Sequence, residues 1–241
     1  MKILFEGSLS VKAVILSGKR EVFDVLIDER KKDRDTAFII RKAEEKGISV
    51  KRMPRSEIDL LASGKTHGGV LCTASERIYD KLEDCFQDKN PFLAILEGIE
   101  DPFNFAYALR TLYAAGCSGV LLNGRNWTQQ DNLIAKSSAG ASEYIRLIDC
   151  ENMEKTLLDC KQKGCQVYCA MRKDAVEMYD VDYTGPFVLA IGGEKRGLSK
   201  LVLNQSNQNI MIPYANDFKN ALNASSAVAA VAFEVVRQRR K

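Results

Sequence analysis

The sequence predicts an α/β fold with a mainly parallel sheet, preceded by a smaller αβ unit. Apolar runs of strand length alternate with helix-length stretches from residue 92 to 239, the pattern of β–α–β units. The run FLAILEG, 92–98, lacks the polar alternation of a half-exposed strand and suits a strand covered on both faces. The charged stretch ERIYDKLEDCFQDKN, 76–90, ends before Pro91 and separates this alternation from an earlier one. It is read as a linker between a domain over 1–75 and a second over 91–241.

In the first domain VFDVLI, 22–27, reads as a strand. DTAFIIRKAEEK, 35–46, has helical spacing and stops at Gly47, a residue that terminates helices by adopting positive φ. ISVKR (48–52) reads as a second strand and 55–62 as a short helix. GVLCTAS (69–75) is a further strand after the loop SGKTHGG. In the second domain the strand at 92–98 leads to a helix over 104–115 that stops at Gly116. GVLL (119–122), EYIRLI (143–148), QVYCA (166–170) and FVLAI (187–191) are strand candidates. A helix over 152–163 ends at Gly164, and Pro213 ends an apolar strand at 210–212. Residues 222–239 form a long helix rich in small residues.

Composition narrows the function. Hydrophobic residues make up 46% of the 241 and charged residues 28%, which excludes a disordered, collagenous or disulfide-scaffold chain. The net charge of +3 is compatible with nucleic acid without arguing for it. His67 is the sole histidine, so a multi-histidine metal site is excluded and a His-based triad would rest on it alone. Seven cysteines occur without a Cys-x-x-Cys pair, and they read as reduced thiols packed as small hydrophobes, with no metal expected. No apolar run approaches the roughly 20 residues that span a bilayer. Glu6 and Gly7 interrupt the N-terminus where a signal peptide is unbroken. The expectation is a cytoplasmic protein with no membrane partner. Two basic patches, RKKDR at 30–34 and RQRRK at 237–241, are either solvated faces or phosphate contacts.

Ligands of such sheets bind at the carboxyl ends of strands, so three loops carry the search for chemistry. In EGIEDPFNFAYALR, 97–110, Asn104 sits at a helix start, where Asn is a frequent cap. Arg110 follows on an apolar-rich helix with no obvious solvent face, and a buried Arg requires a carboxylate or phosphate partner. In FVLAIGGEKRGLSK, 187–200, paired glycines precede Glu194, which permits close backbone approach to a ligand or simply a tight turn. Leu198 stands where a phosphate-binding loop needs Lys, which disfavours nucleotide hydrolysis. In the third loop Asn223, Ser225 and Ser226 open the Ala-rich helix, as ordinary caps or as ligand contacts.

Taken in order, these segments resemble the SpoU/TrmH-type RNA 2'-O-ribose methyltransferases of the SPOUT superfamily. The resemblance lies in DPFNFAYALRT, in GGEKRGLS, in IPY followed by ALNASSA, and in the intermediate SSAGASEY at 137–144. The first domain is similar to the ribosomal-protein-like substrate-binding domain that precedes the catalytic domain in many rRNA enzymes of this family. Its THGGV loop resembles their His-x-Gly turn, with His67 either touching RNA or holding the turn.

The resemblance implies a trefoil-knotted catalytic domain that binds S-adenosylmethionine and methylates a ribose 2'-hydroxyl. It implies 23S ribosomal RNA as substrate before tRNA, and a homodimer. By motif matching, Gly192, Ile212 and Leu222 correspond to cofactor contacts. Asn104, Arg110, Glu194, Asn223 and Ser225 correspond to active-site residues. In that reading Arg110 anchors a phosphate or oxyanion, because guanidinium groups give up their proton reluctantly and make poor bases. Ala221 and Tyr214 depart from the family pattern, which commonly has Ser and Met there. The alternative from another class is a non-catalytic RNA-binding or ribosome-assembly protein of the same fold.

Overall fold

The structure, a computed structural model, describes residues 1–124 and 127–240. Lys241, the end of the basic patch at 237–241, lies outside the described residues. The chain forms two compact units, Met1–Ile78 with Asn126–Tyr144, and Tyr79–Arg125 with Ile145–Lys241.

The first unit contains β1 (Ile3–Glu6), α1 (Ser8–Ser17), β2 (Val22–Asp28), α2 (Arg34–Glu45), β3 (Ser49–Met53), α3 (Arg55–Leu61) and β4 (Val70–Ala74). Its sheet runs β1-β4-β2-β3, with β4 antiparallel to both neighbours and β3 parallel to β2. Asp33 starts α2 by accepting the Thr36 N–H, and Gly47 follows the helix at φ 69°. Phe5, Val14, Ile15, Val25, Ile27, Ile39 and Cys72 form its core.

The second unit contains α4 (Leu82–Cys85), β5 (Phe92–Glu97), α5 (Pro102–Ala114) and β6 (Gly119–Leu122). The chain then contributes α6 (Asp131–Ser137) and α7 (Ala141–Tyr144) to the first unit. It returns with β7 (Leu147–Asp149), α8 (Met153–Gln162), β8 (Gln166–Ala170), β9 (Ala175–Glu177), β10 (Phe187–Gly192), α9 (Lys200–Asn204), β11 (Gln208–Met211) and α10 (Ala224–Arg239). The sheet order is β7-β6-β5-β10-β8-β11-β9, and every strand pair in it is parallel. The expected α/β fold with a mainly parallel sheet is therefore observed. Strands β5, β6 and β10 are buried almost throughout, as their unbroken apolar sequences require.

Two expectations shift. The strand expected over 143–148 begins only at Leu147, because Glu143 and Tyr144 close α7. Residues 76–90, read as a charged linker, include α4, whose Cys85 is buried with Leu93, Ile95 and Leu121. All seven cysteines are buried and free. Burial pushes the Cys85 and Cys117 thiols up to about 12, so they pack as neutral hydrophobes. No helix among the described residues is long and apolar enough to cross a membrane. Also among them, no three His, Cys, Asp or Glu side chains gather to hold a metal ion.

Candidate active site

The candidate site forms at the carboxyl ends of β5, β8, β10 and β11, where two adjoining hollows meet at Ala224. The first is a cleft of about 330 Å³ whose lining carries charged and amide side chains, Glu100, Asp101, Asn104, Glu194 and Lys195, beside Ile99, Ala224 and glycines. The second, about 120 Å³, is mainly apolar, with Ile191, Ile210, Ile212 and Leu222 in its walls and Arg172 and Tyr214 beside them.

Glycines let the backbones around the cleft approach. Glu97 and Gly192 are register partners on β5 and β10, and the Glu97 carbonyl accepts the Gly193 N–H at 2.7 Å. A Cβ on Gly193 would lie 2.0 Å from the Gly98 carbonyl oxygen, and one on Gly192 would lie 2.4 Å from the Gly197 carbonyl carbon. Any other residue at either position collides with backbone. The Glu97 carboxylate accepts the Ser199 N–H at 2.7 Å. Lys195 Nζ lies 2.7 Å from Glu100 Oε2, joining the two loops on an exposed edge.

Helix α5 is capped by Asp101, whose carboxylate accepts the Phe103 and Asn104 N–H groups at 3.3 and 3.1 Å, with Pro102 in the first turn. Asn104 is thus not the cap, because Asp101 already holds that position, and its residue lines the cleft. Asn223 does cap α10. Its side chain accepts the Ser226 N–H at 2.8 Å and the Ser225 hydroxyl at 3.1 Å. Cap and candidate site coincide there.

The structure brings Asn104 and Glu194 into the cleft and Gly192, Ile212 and Leu222 into the apolar hollow. Asn223 and Ser225 flank Ala224, where the hollows meet. Arg110 is exposed and lines neither, which corrects its expected burial. The apolar residues of α5 that face inward are Phe105, Ala106, Ala108, Leu109 and Leu112. Arg110 comes seven residues after Phe103 and three after Tyr107, both exposed, and so falls on the outer face. Sequence reading missed Glu100, Lys195 and Arg172. Arg172 was within reach of the strand-end rule, since it follows QVYCA by two residues.

In the first unit His67 is buried. Its Nδ1 accepts the Gly69 N–H at 3.2 Å, and its Nε2 lies 3.0 Å from Asp59 Oδ1. Both ring nitrogens are therefore engaged in holding the THGG turn, which supports the turn-holding reading.

Residues 91–233 match the model of the SpoU rRNA methylase family. This chain belongs to that family. Residues 4–79 match the model for RNA 2'-O ribose methyltransferase substrate binding. As a SpoU family member the chain is an RNA 2'-O-ribose methyltransferase, as the motif resemblance led us to expect. It is 30% identical to the 23S rRNA (guanosine-2'-O-)-methyltransferase RlmB of Haemophilus influenzae, over 97% of this chain and 96% of that one. It is 31% identical to a Staphylococcus haemolyticus chain named for the TrmH family of tRNA/rRNA methyltransferases, over 98% and 96%. The SpoU fold is shared with AviRb of Streptomyces viridochromogenes, crystallised with AdoMet (TM-score 0.81, 20% identity, 99% and 90% coverage). It is shared too with an AdoMet-bound rRNA methyltransferase of Sinorhizobium meliloti (TM-score 0.82, 22% identity, 100% and 88% coverage).

Proposed function

We propose that this chain transfers the methyl group of S-adenosylmethionine to a ribose 2'-hydroxyl of 23S ribosomal RNA, acting in the cytoplasm as a homodimer. The observation that carries the reading is the junction at Ala224 of a hollow walled by apolar side chains and a cleft that carries charged ones. The donor set fits the cofactor. Ile191, Ile212 and Leu222 offer apolar walls to a purine. Glu100, Asp101 and Glu194 outnumber Lys195 in the adjoining cleft, a balance that favours a sulfonium cation over an anion. When bound, S-adenosylmethionine supplies an electrophilic methyl group.

The chain's own residues then hold the acceptor. The Asn104 amide donates to or accepts from ribose hydroxyls in the cleft and the Glu194 carboxylate accepts from them, which selects RNA over DNA. Asn223 and Ser225 keep the start of α10 in place beside it, and such positioning is itself a large part of catalysis. Arg110 lies on the exposed face of α5 between Tyr107 and Tyr113, each about half-exposed. Exposed aromatics on one helix face mark a surface for another protein, so Arg110 reaches the reaction across the dimer and anchors a substrate phosphate there. The wall residues Ile212 and Leu222 and the backbone at Gly192 hold the cofactor.

Calorimetry with S-adenosylhomocysteine, in chelator, tests the cofactor reading, and binding is expected. Absence of binding at millimolar ligand, with and without RNA, would overturn it. Mapping 2'-O-methyl groups in RNA from cells with and without the protein identifies the nucleotide. Loss of a mark in tRNA rather than 23S rRNA would reassign the substrate.

A further inference from the structure

The segment from Pro213 to Leu222 walls the apolar hollow yet holds itself poorly. It contains no helix or strand. Among the described residues, its internal backbone–backbone hydrogen bonding is Phe218 N–H to the Asn216 carbonyl. Arg172, two residues beyond β8, supplies what is missing. Its Nη1 donates to the Lys219 carbonyl at 2.6 Å, and its Nη2 donates to the carbonyls of Asn220 and Phe218 at 2.7 and 3.3 Å. The guanidinium also lies 4.7 Å from the centre of the Tyr214 ring. The Tyr214 hydroxyl accepts the Leu222 N–H at 3.0 Å, closing the segment on itself.

We propose that Arg172 and Tyr214 are positioning residues that together latch residues 213–222 as the cofactor-binding wall. The inference rests on the cofactor reading above. Three carbonyls and one aromatic face suit a planar, five-donor guanidinium; a lysine ammonium matches neither the fan of acceptors nor the stack. The hollow, about 120 Å³, is below the roughly 300–1,000 Å³ of small-molecule sites taken alone. The placement of its wall therefore decides what it admits. The Tyr214 hydroxyl supplies the acceptor for the Leu222 N–H, which a phenylalanine ring at this position could not.

The test measures S-adenosylhomocysteine binding by calorimetry for wild type, Arg172→Ala, Arg172→Lys, Tyr214→Phe and the Ala/Phe double variant. It is paired with hydrogen exchange over residues 213–222 without ligand. Arg172→Ala is expected to weaken binding about tenfold or more, the size of a lost charge-assisted hydrogen bond. Tyr214→Phe, which keeps the ring, is expected to weaken it less, and the double variant no more than Arg172→Ala. Exchange over 213–222 should quicken in Arg172→Ala while β10 and α10 keep wild-type protection. Wild-type or tighter affinity in Arg172→Ala overturns the latch. So does weakened binding with unchanged exchange, which would make Arg172 a direct ligand contact. Failure of the wild-type protein to bind would instead overturn the cofactor reading on which the latch depends.

Discussion

Arg110 sits where chemistry and exposure pull apart. Its planar five-donor fork on an outer helix face suits a substrate phosphate, the anchoring role proposed above. Arg110→Lys keeps the charge and loses the planar fork. In single-turnover methylation it should retain a measurable fraction of the rate, whereas Arg110→Ala should lose about a hundredfold or more. A Lys variant as fast as wild type, with its pH–rate midpoint moved down, would make this residue the proton acceptor instead. Gly193 poses a sharper steric question. Its missing Cβ is what allows the Gly98 carbonyl to pass 2.0 Å from that position. Gly193→Ala should lower the melting temperature and abolish S-adenosylhomocysteine binding. Gly185→Ala, where an added Cβ meets nothing within 4 Å, should stay within about 0.5 kcal/mol of wild type. The paired glycines and Glu194 were legible because their spacing after a strand is a property of the local sequence. The exposure of Arg110 was not, because which face of an apolar-rich helix turns outward is set by its distant packing partner, here α10.

At the scale of elements, buried ion pairs hold α6 and α7 within the first unit. The Arg20 guanidinium pairs with Glu143 at 2.9 and 3.1 Å and with Asp131 at 2.7 Å, with side chains of Arg20 and Glu143 only 2% exposed. Glu6 on β1, also buried, accepts from Ser63 N–H and hydroxyl at 2.6 Å and lies 3.3 Å from Lys136 of α6. Arg20→Ala strands two carboxylates and should cost about 3–5 kcal/mol in urea unfolding. Glu6 gives a pH signature. Burial raises its pKa, but the hydrogen bonds from Ser63 and the charge of Lys136 outweigh that and leave it below the ordinary 4.5. Its contribution is thus complete above the unfolded-state value and is lost as pH falls through the lower folded value. Stability of wild type relative to Glu6→Gln, followed from about pH 6 to about pH 3, should decline below about 4.5. A constant difference would mean that ionised Glu6 contributes nothing. These elements were the least legible. Helix α1 buries Ser10, Val11, Ala13, Val14 and Ile15, which gives no clear one-sided 3.6-residue pattern. The buried partners of α6 and α7 lie more than a hundred residues away in sequence, at Glu6 and Arg20, so no local pattern announces them. The parallel strands β5, β6 and β10, buried on both faces, were read almost to the residue, since an unbroken apolar run of that length has few other uses.

For the whole molecule, the exposed aromatics Phe103, Tyr107 and Tyr113 of α5, with Phe233 of α10, argue for a homodimer built on the second unit. Light scattering at micromolar concentration should give about twice 26.9 kDa, and a monomer that still methylates RNA would contradict the shared site. The first unit raises a different question, because removing it wholesale is a poor test of RNA binding. Deleting residues 1–89 would take Arg20 from Asp131 and Glu143 and leave those carboxylates without their partner. Substitution on its surface avoids that cost. Arg30, Lys32 and Arg34 are exposed at the β2–α2 connection, and among the described residues no ion pair engages them. If they neutralise RNA phosphates, changing all three to Ala should weaken RNA binding uniformly across sequences. It should also flatten the dependence of log K on log salt, by about 0.7 for each phosphate of single-stranded RNA that is no longer neutralised. S-adenosylhomocysteine affinity should be untouched, since the proposed cofactor residues Gly192, Ile212 and Leu222 all belong to the second unit. An unchanged salt slope would make the patch a solvated face and move the phosphate-binding surface elsewhere on the chain.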